Sequence, residues 1–68
     1  MNTFTNWQDL LTYLKEHNNI VYYQAPLDFN PNIVTITKVF KNGKLRVVCG
    51  PYAFTADKTH LDRFRWKD

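Results

Sequence analysis

The sequence predicts an α+β fold in which an N-terminal amphipathic helix packs on a four- to five-stranded antiparallel sheet. The sheet is expected to roll into a small barrel, with a short helical turn before the last strand. Three observations predict this. Trp7, Leu10, Leu11 and Leu14 recur at helical spacing, the chain from Ile20 onward breaks into short β-branched and aromatic runs, and Asn42-Gly43 separates the two longest runs. With 68 residues the chain makes one domain, because a second core cannot be built from the remainder. A domain of this size buries roughly 60% of its unfolded surface, so large side chains have to fill the core. Hydrophobic residues at 44% and aromatics at 16% meet that need and leave one or two rings for the surface.

The helix is expected from about Asn6 to His17. Its apolar stripe packs on the sheet, since a small sheet needs such a cover. Thr5 and Gln8 fit a capping box, Asp9 and Lys15 suit the macrodipole, and Asn18-Asn19 supply a left-handed stop. Tyr13, at the edge of the stripe, is the helix residue expected to be partly exposed.

Ile20-Val-Tyr-Tyr-Gln24 reads as a strand that Pro26 ends. Leu27 to Asn32 is a loop rich in Asn, Asp and Pro, with Leu27 or Phe29 tucked beneath it. Ile33–Lys41 and Lys44–Cys49 then form a hairpin about a two-residue type I′ turn at Asn42-Gly43. That turn pairs Lys41 with Lys44, Phe40 with Leu45, Val39 with Arg46 and Lys38 with Val47. Val34, Ile36, Phe40, Leu45 and Val47 fall on a core face, and Thr35, Thr37, Lys41, Lys44 and Arg46 on an exposed, basic one. Lys38 lands on the core side and Val39 on the exposed side, which signals a bulge, a strong twist or a shifted register. Gly50-Pro51 turns the chain into a strand over 52–56. Thr55 or Asp57 caps a helical turn through Leu61, and a short last strand covers 63–66. This order of elements resembles that in which SH3-like small barrels close, a likeness of architecture that transmits no function.

The formal charge of +3 favours anionic partners, and its distribution says more than its sum. From Ile20 onward eight Lys or Arg face Asp28, Asp57, Asp62 and Asp68, so the excess sits on the strand-rich part. Cys49 is the only cysteine, which excludes an intramolecular disulfide and a cysteine-based zinc site within one chain. A reducing, cytoplasmic setting fits a chain with no secretory segment and no run long enough to span a bilayer.

Catalytic signatures are lacking. The chain has no serine, and its two histidines, His17 and His60, have no nucleophile and carboxylate arranged around them in sequence. Cys49 falls on the apolar face of its strand, where a thiol acts as a small hydrophobe. Asp57, His60 and Asp62 match no common ligand spacing, and Asp57 is better read as a cap. With glycine only at 43 and 50, no phosphate-cradling loop can form. No enzyme activity, metal or cofactor is therefore expected.

What remains is the basic hairpin, which read conservatively keeps an edge strand soluble. Read functionally, it belongs to a small nucleic-acid-binding module. Lys41, Lys44, Arg46, Arg63 and Arg65 then contact phosphates, and Tyr23, Tyr52 and Trp66 offer rings on which bases stack. Arg63, Arg65 and Lys67 extend the patch if the last strand pairs beside the hairpin. The alternative is a protein-interaction or accessory protein, encoded by a phage or other mobile element. It would bind a protein partner through exposed aromatics, as a monomer or homodimer.

Overall fold

The computed structural model describes residues 1–67. Its elements are β1 (Asn2–Thr3), α1 (Trp7–Glu16), β2 (Ile20–Tyr23), β3 (Asn32–Val39), β4 (Leu45–Cys49), β5 (Tyr52–Ala56), a 3-10 helix (Lys58–Arg63) and β6 (Phe64–Trp66). The strands form one antiparallel sheet in the order β1-β6-β2-β3-β4-β5, with α1 against one face. The expected α+β class is observed, with one strand more than expected. β1 is only two residues long and pairs with β6, too short to leave a periodic signal. The sheet does not close: β1 and β5 are its edges.

α1 forms where the stripe predicts it, burying Trp7, Leu10 and Leu14. Its cap differs from expectation. Asn6, not Thr5, is the N-cap, and its Oδ1 accepts from the Asp9 amide at 2.9 Å. Asn18 and Asn19 both adopt left-handed backbone, with φ of 56° and 61°, and turn the chain directly into β2. Tyr13 is half-buried, as expected.

The core joins these helix residues to Val21, Tyr23, Val34, Ile36, Leu45, Val47, Ala56 and Phe64. Among the described residues, no polar or charged residue is fully buried. The sheet curls strongly about α1. The rings of Tyr23 on β2 and Phe54 on β5 lie 5.1 Å apart although β3 and β4 intervene.

Two expectations about loops are corrected. The β3–β4 turn has three residues, not two. Phe40 N–H donates to the Lys44 carbonyl at 2.8 Å, Gly43 N–H donates to the Phe40 carbonyl at 2.9 Å, and Gly43, but not Asn42, has positive φ (87°). This is a type I turn closed by a left-handed glycine, which shifts the register by one and pairs Val39 with Leu45. A bulge at Thr37 then restores the inner face by pairing Ile36 with Val47. The β2–β3 loop also differs: Leu27 and Phe29 are not tucked beneath it but are 94% and 98% exposed. The core is already filled by α1, and the loop is held by its own polar groups instead.

Candidate nucleic-acid interface

The hairpin and the bulge together set the charged surface. Because Thr37 is the extra residue, Lys38 lies opposite Arg46, and both project from the sheet face that α1 leaves open. Phe40 follows Lys38 by two residues and shares this face. The Lys38 ammonium sits 5.1 Å from the Phe40 ring centroid, a cation–π contact worth about 0.5–1 kcal/mol at an exposed site. The core assignment of Phe40 is thereby overturned. Lys41 and Lys44 are exposed in and beside the turn. The tip is fixed from inside, since Trp7 Nε1 donates to the Gly43 carbonyl at 2.9 Å.

Charge segregation follows the secondary structure. Among the described residues every charged side chain in a strand is basic, namely Lys38, Arg46 and Arg65. The carboxylates lie on α1, in the β2–β3 loop and around the 3-10 helix. Asp57 borders the hairpin tip beside Lys44 and Lys58, so one carboxylate lies against the basic end. It accepts from the Thr59 amide at 2.9 Å and contacts His60 Nδ1 at 3.1 Å. The hydrogen bonds from Thr59 hold its pKa below the ordinary 3.8. His60 returns the cap by accepting from the Asp57 amide at 3.1 Å, so this pair closes a helix end. Among the described residues no group of three His, Cys, Asp or Glu is placed to hold a metal ion.

The expected second half of the patch lies elsewhere. β6 pairs with β1 and β2, not with the hairpin, so Arg63, Arg65 and Lys67 do not extend the basic surface of Lys41, Lys44 and Arg46. Arg65 pairs with Tyr22, which pairs with Ile33, and Lys38 lies five residues further along β3. That is about 16 Å along the sheet and two strands across. The separation exceeds the roughly 8 Å Debye length at physiological ionic strength, so the two cationic groups act independently. Arg63 is half-buried and donates to the Tyr23 hydroxyl at 3.4 Å, a bond that raises its pKa and fixes its charge. The Arg65 guanidinium donates to the carbonyls of Asp62 and Phe64.

The expected stacking rings do not share the basic face either. Tyr23 is 8% exposed and packs 5.1 Å from Phe64, so its ring belongs to the core and offers no platform. Trp66 lies on the helix side, 6.5 Å from Tyr13, and its Nε1 donates to the Thr3 carbonyl at 3.4 Å. Tyr52 is 74% exposed but begins β5, at the opposite end of the sheet from the hairpin tip. Lys38 and Phe40 were missed at this surface because the register placed both inward. The signal that locates Lys38 was present, because an unpaired lysine at a core position is too costly to be real.

No protein-family model, curated protein or solved structure matches the chain.

Proposed function

We propose that this protein is a small, non-catalytic nucleic-acid-binding module that engages phosphates with the hairpin end of its sheet. The observation that carries the reading is the segregation of charge. Lys38, Lys41, Lys44 and Arg46 gather at one end, and among the described residues no strand contributes a carboxylate against them. Four cations beside one carboxylate, Asp57, leave a positive excess that attracts a polyanion and releases its counterions. Phe40, half-buried under Lys38, is the ring nearest these cations in sequence. The strand order β6-β2-β3-β4-β5, with a 3-10 helix before β6, supports reading the sheet as an SH3-like roll left open at its edges. A reducing, cytoplasmic setting is supported by the single free cysteine, Cys49, packed beside the core. No helix among the described residues is long and apolar enough to cross a membrane.

Fluorescence anisotropy with a labelled single-stranded and a labelled duplex DNA, each across a salt series, tests the reading. Four phosphate contacts give a slope of log K against log salt of about −2.8 on single strands and about −3.6 on duplex. Lys38→Ala and Arg46→Ala should each flatten that slope by about 0.7 to 0.9, and Arg65→Ala should leave it unchanged. Absence of binding at low salt, or a slope near zero, overturns the reading. The alternative of a protein partner is favoured by a separate observation, the exposure of Leu27 and Phe29 at the far end of the sheet.

A further inference from the structure

The β2–β3 loop is ordered by an unusual share of its own polar groups. Gln24 N–H donates to the Arg63 carbonyl at 2.8 Å, and the Gln24 side-chain amide donates to the carbonyls of Asp28 and Phe29 at 3.0 and 3.3 Å. Asp28 N–H donates to the Ala25 carbonyl at 3.0 Å. The Asp28 carboxylate accepts from the Ala25 amide and the Asn32 side chain, each at 3.3 Å. Proline at 26 and 31 narrows the backbone further. A loop held this way spends its polar groups on its own shape, and what it presents outward is apolar. Leu27 is 94% exposed and Phe29 98%.

These two side chains adjoin further uncovered apolar surface. Ile33, the second residue of β3, is 62% exposed beside the loop, Ile20 on β2 is 46% exposed, and Tyr22 opposite Ile33 is half-buried on the open face of the sheet. Tyr52, although 74% exposed, pairs with Cys49 and so lies on the helix side of the sheet, outside this patch. Leu27, Phe29, Ile33 and Ile20 together present on the order of 500–550 Å², about two thirds of the roughly 800 Å² that each partner contributes to a standard interface and enough for a weak one.

We propose that this end of the sheet is a self-association surface whose occupant is a second copy of the chain. Leu27 and Phe29 of each copy seat on Ile20, Tyr22 and Ile33 of the other about a two-fold axis, so that protruding loop and flat sheet face complement each other twice. The charges permit it. Asp28 and Asp62 lie with Arg63 and Arg65 around one shallow depression beside the loop, so this end is electrically balanced. The unbalanced cations of the hairpin share the open face but lie at its far end, Lys38 about 16 Å along β3 from Ile33. In the dimer the two hairpins stand well beyond a Debye length from one another, so their repulsion does not oppose association. The proposal does not depend on nucleic-acid binding, although such a dimer would carry two cationic ends on one scaffold.

Sedimentation velocity without nucleic acid, from about 5 to about 500 µM protein, spans the dissociation constants expected of an interface at the small end of the standard range. The expected result is a mass rising from the 8.1 kDa of one chain toward twice that value. The double variant Leu27→Asp with Phe29→Asp should remain at single-chain mass throughout, with unchanged circular dichroism and denaturation midpoint. Amide NMR shifts on dilution of the wild type should fall in residues 20–33. A single-chain mass for the wild type over the whole range overturns the proposal and leaves the surface to a different protein. So does undiminished dimerisation of the folded variant, or dilution shifts confined to residues 38–46.

Discussion

The two ends of this sheet are built from the same central strands and differ in what holds them. At the hairpin end the turn is tied to the core, because Trp7 is buried and donates to the Gly43 carbonyl, while Leu45 and Ala56 beneath it are fully buried. At the loop end the residues from Ala25 to Asn32 bury no large side chain and are held by exposed hydrogen bonds. The first end displays cations on an apolar foundation, and the second displays apolar side chains on a polar foundation. A small domain has one core to distribute, and here it supports the hairpin. The loop has to find its rigidity in side chain-to-backbone bonds, which water competes for. Display of Lys38 and Arg46 should therefore be coupled to global stability, and display of Leu27 and Phe29 should not.

The sharpest way to break this comparison is at Trp7. Trp7→Ala should cost about 3–5 kcal/mol, a large part of the stability a domain of this size has, and should unfold or nearly unfold the chain in a denaturant titration. Gly43→Ala comes next, at about 1 kcal/mol or more. A Cβ there meets nothing within 4 Å, so the whole cost is the strain of φ at 87°. Asn42→Ala should cost about 0.5–1.5 kcal/mol through loss of the bond its Oδ1 accepts from the Lys44 amide at 3.1 Å. Asn42→Gly should bring no relief of backbone strain, since Asn42 has no positive φ in the three-residue turn, and a stabilised Asn42→Gly variant would restore the two-residue turn and its register. Asp28→Ala should lower stability by only about 0.5–1.5 kcal/mol. It should speed hydrogen exchange selectively in residues 25–32, leaving the hairpin amides protected. Phe29→Ala, the removal of a whole ring, should change the midpoint by less than about 0.5 kcal/mol, in contrast to Trp7.

The smallest effect is a pH dependence at the boundary of the hairpin end. Hydrogen bonds from Thr59 lower the folded-state pKa of Asp57 below the ordinary 3.8. The linked stability is therefore fully present above the unfolded-state value and is lost as pH falls through the folded one. Asp57→Asn should flatten the acid limb of a stability-against-pH curve in that window and leave the curve near neutrality parallel to the wild type.

Much of the framework was legible in the residues, for local reasons. The stripe of Trp7, Leu10 and Leu14, the stop at Asn18-Asn19, the breaks at Pro26 and Gly50-Pro51, and Asp57 capping a helical turn are each settled within a few residues. The hairpin strands were also legible, but their register was not. A left-handed Gly43 serves a two-residue and a three-residue turn equally well, and one residue of difference moves Phe40 from core to surface. The misplaced Lys38 carried the correction in advance, because a bulge is the simplest way to return a lysine to water.

Legible from the residues alone are the α+β class, the helix-covered sheet and the placement of the positive charge in the strand-rich part. These follow from composition and from periodicities of two and about 3.6 residues, which act over short separations. Only the tertiary structure decided that β6 pairs with β2 rather than with the hairpin, which divides the cations into two independent groups. It also decided that Tyr23 is core, and that Leu27 and Phe29 stand in solvent. Each of these depends on which distant segments compete for the same buried volume. α1, Tyr23 and Phe64 had filled it, and the loop was left outside.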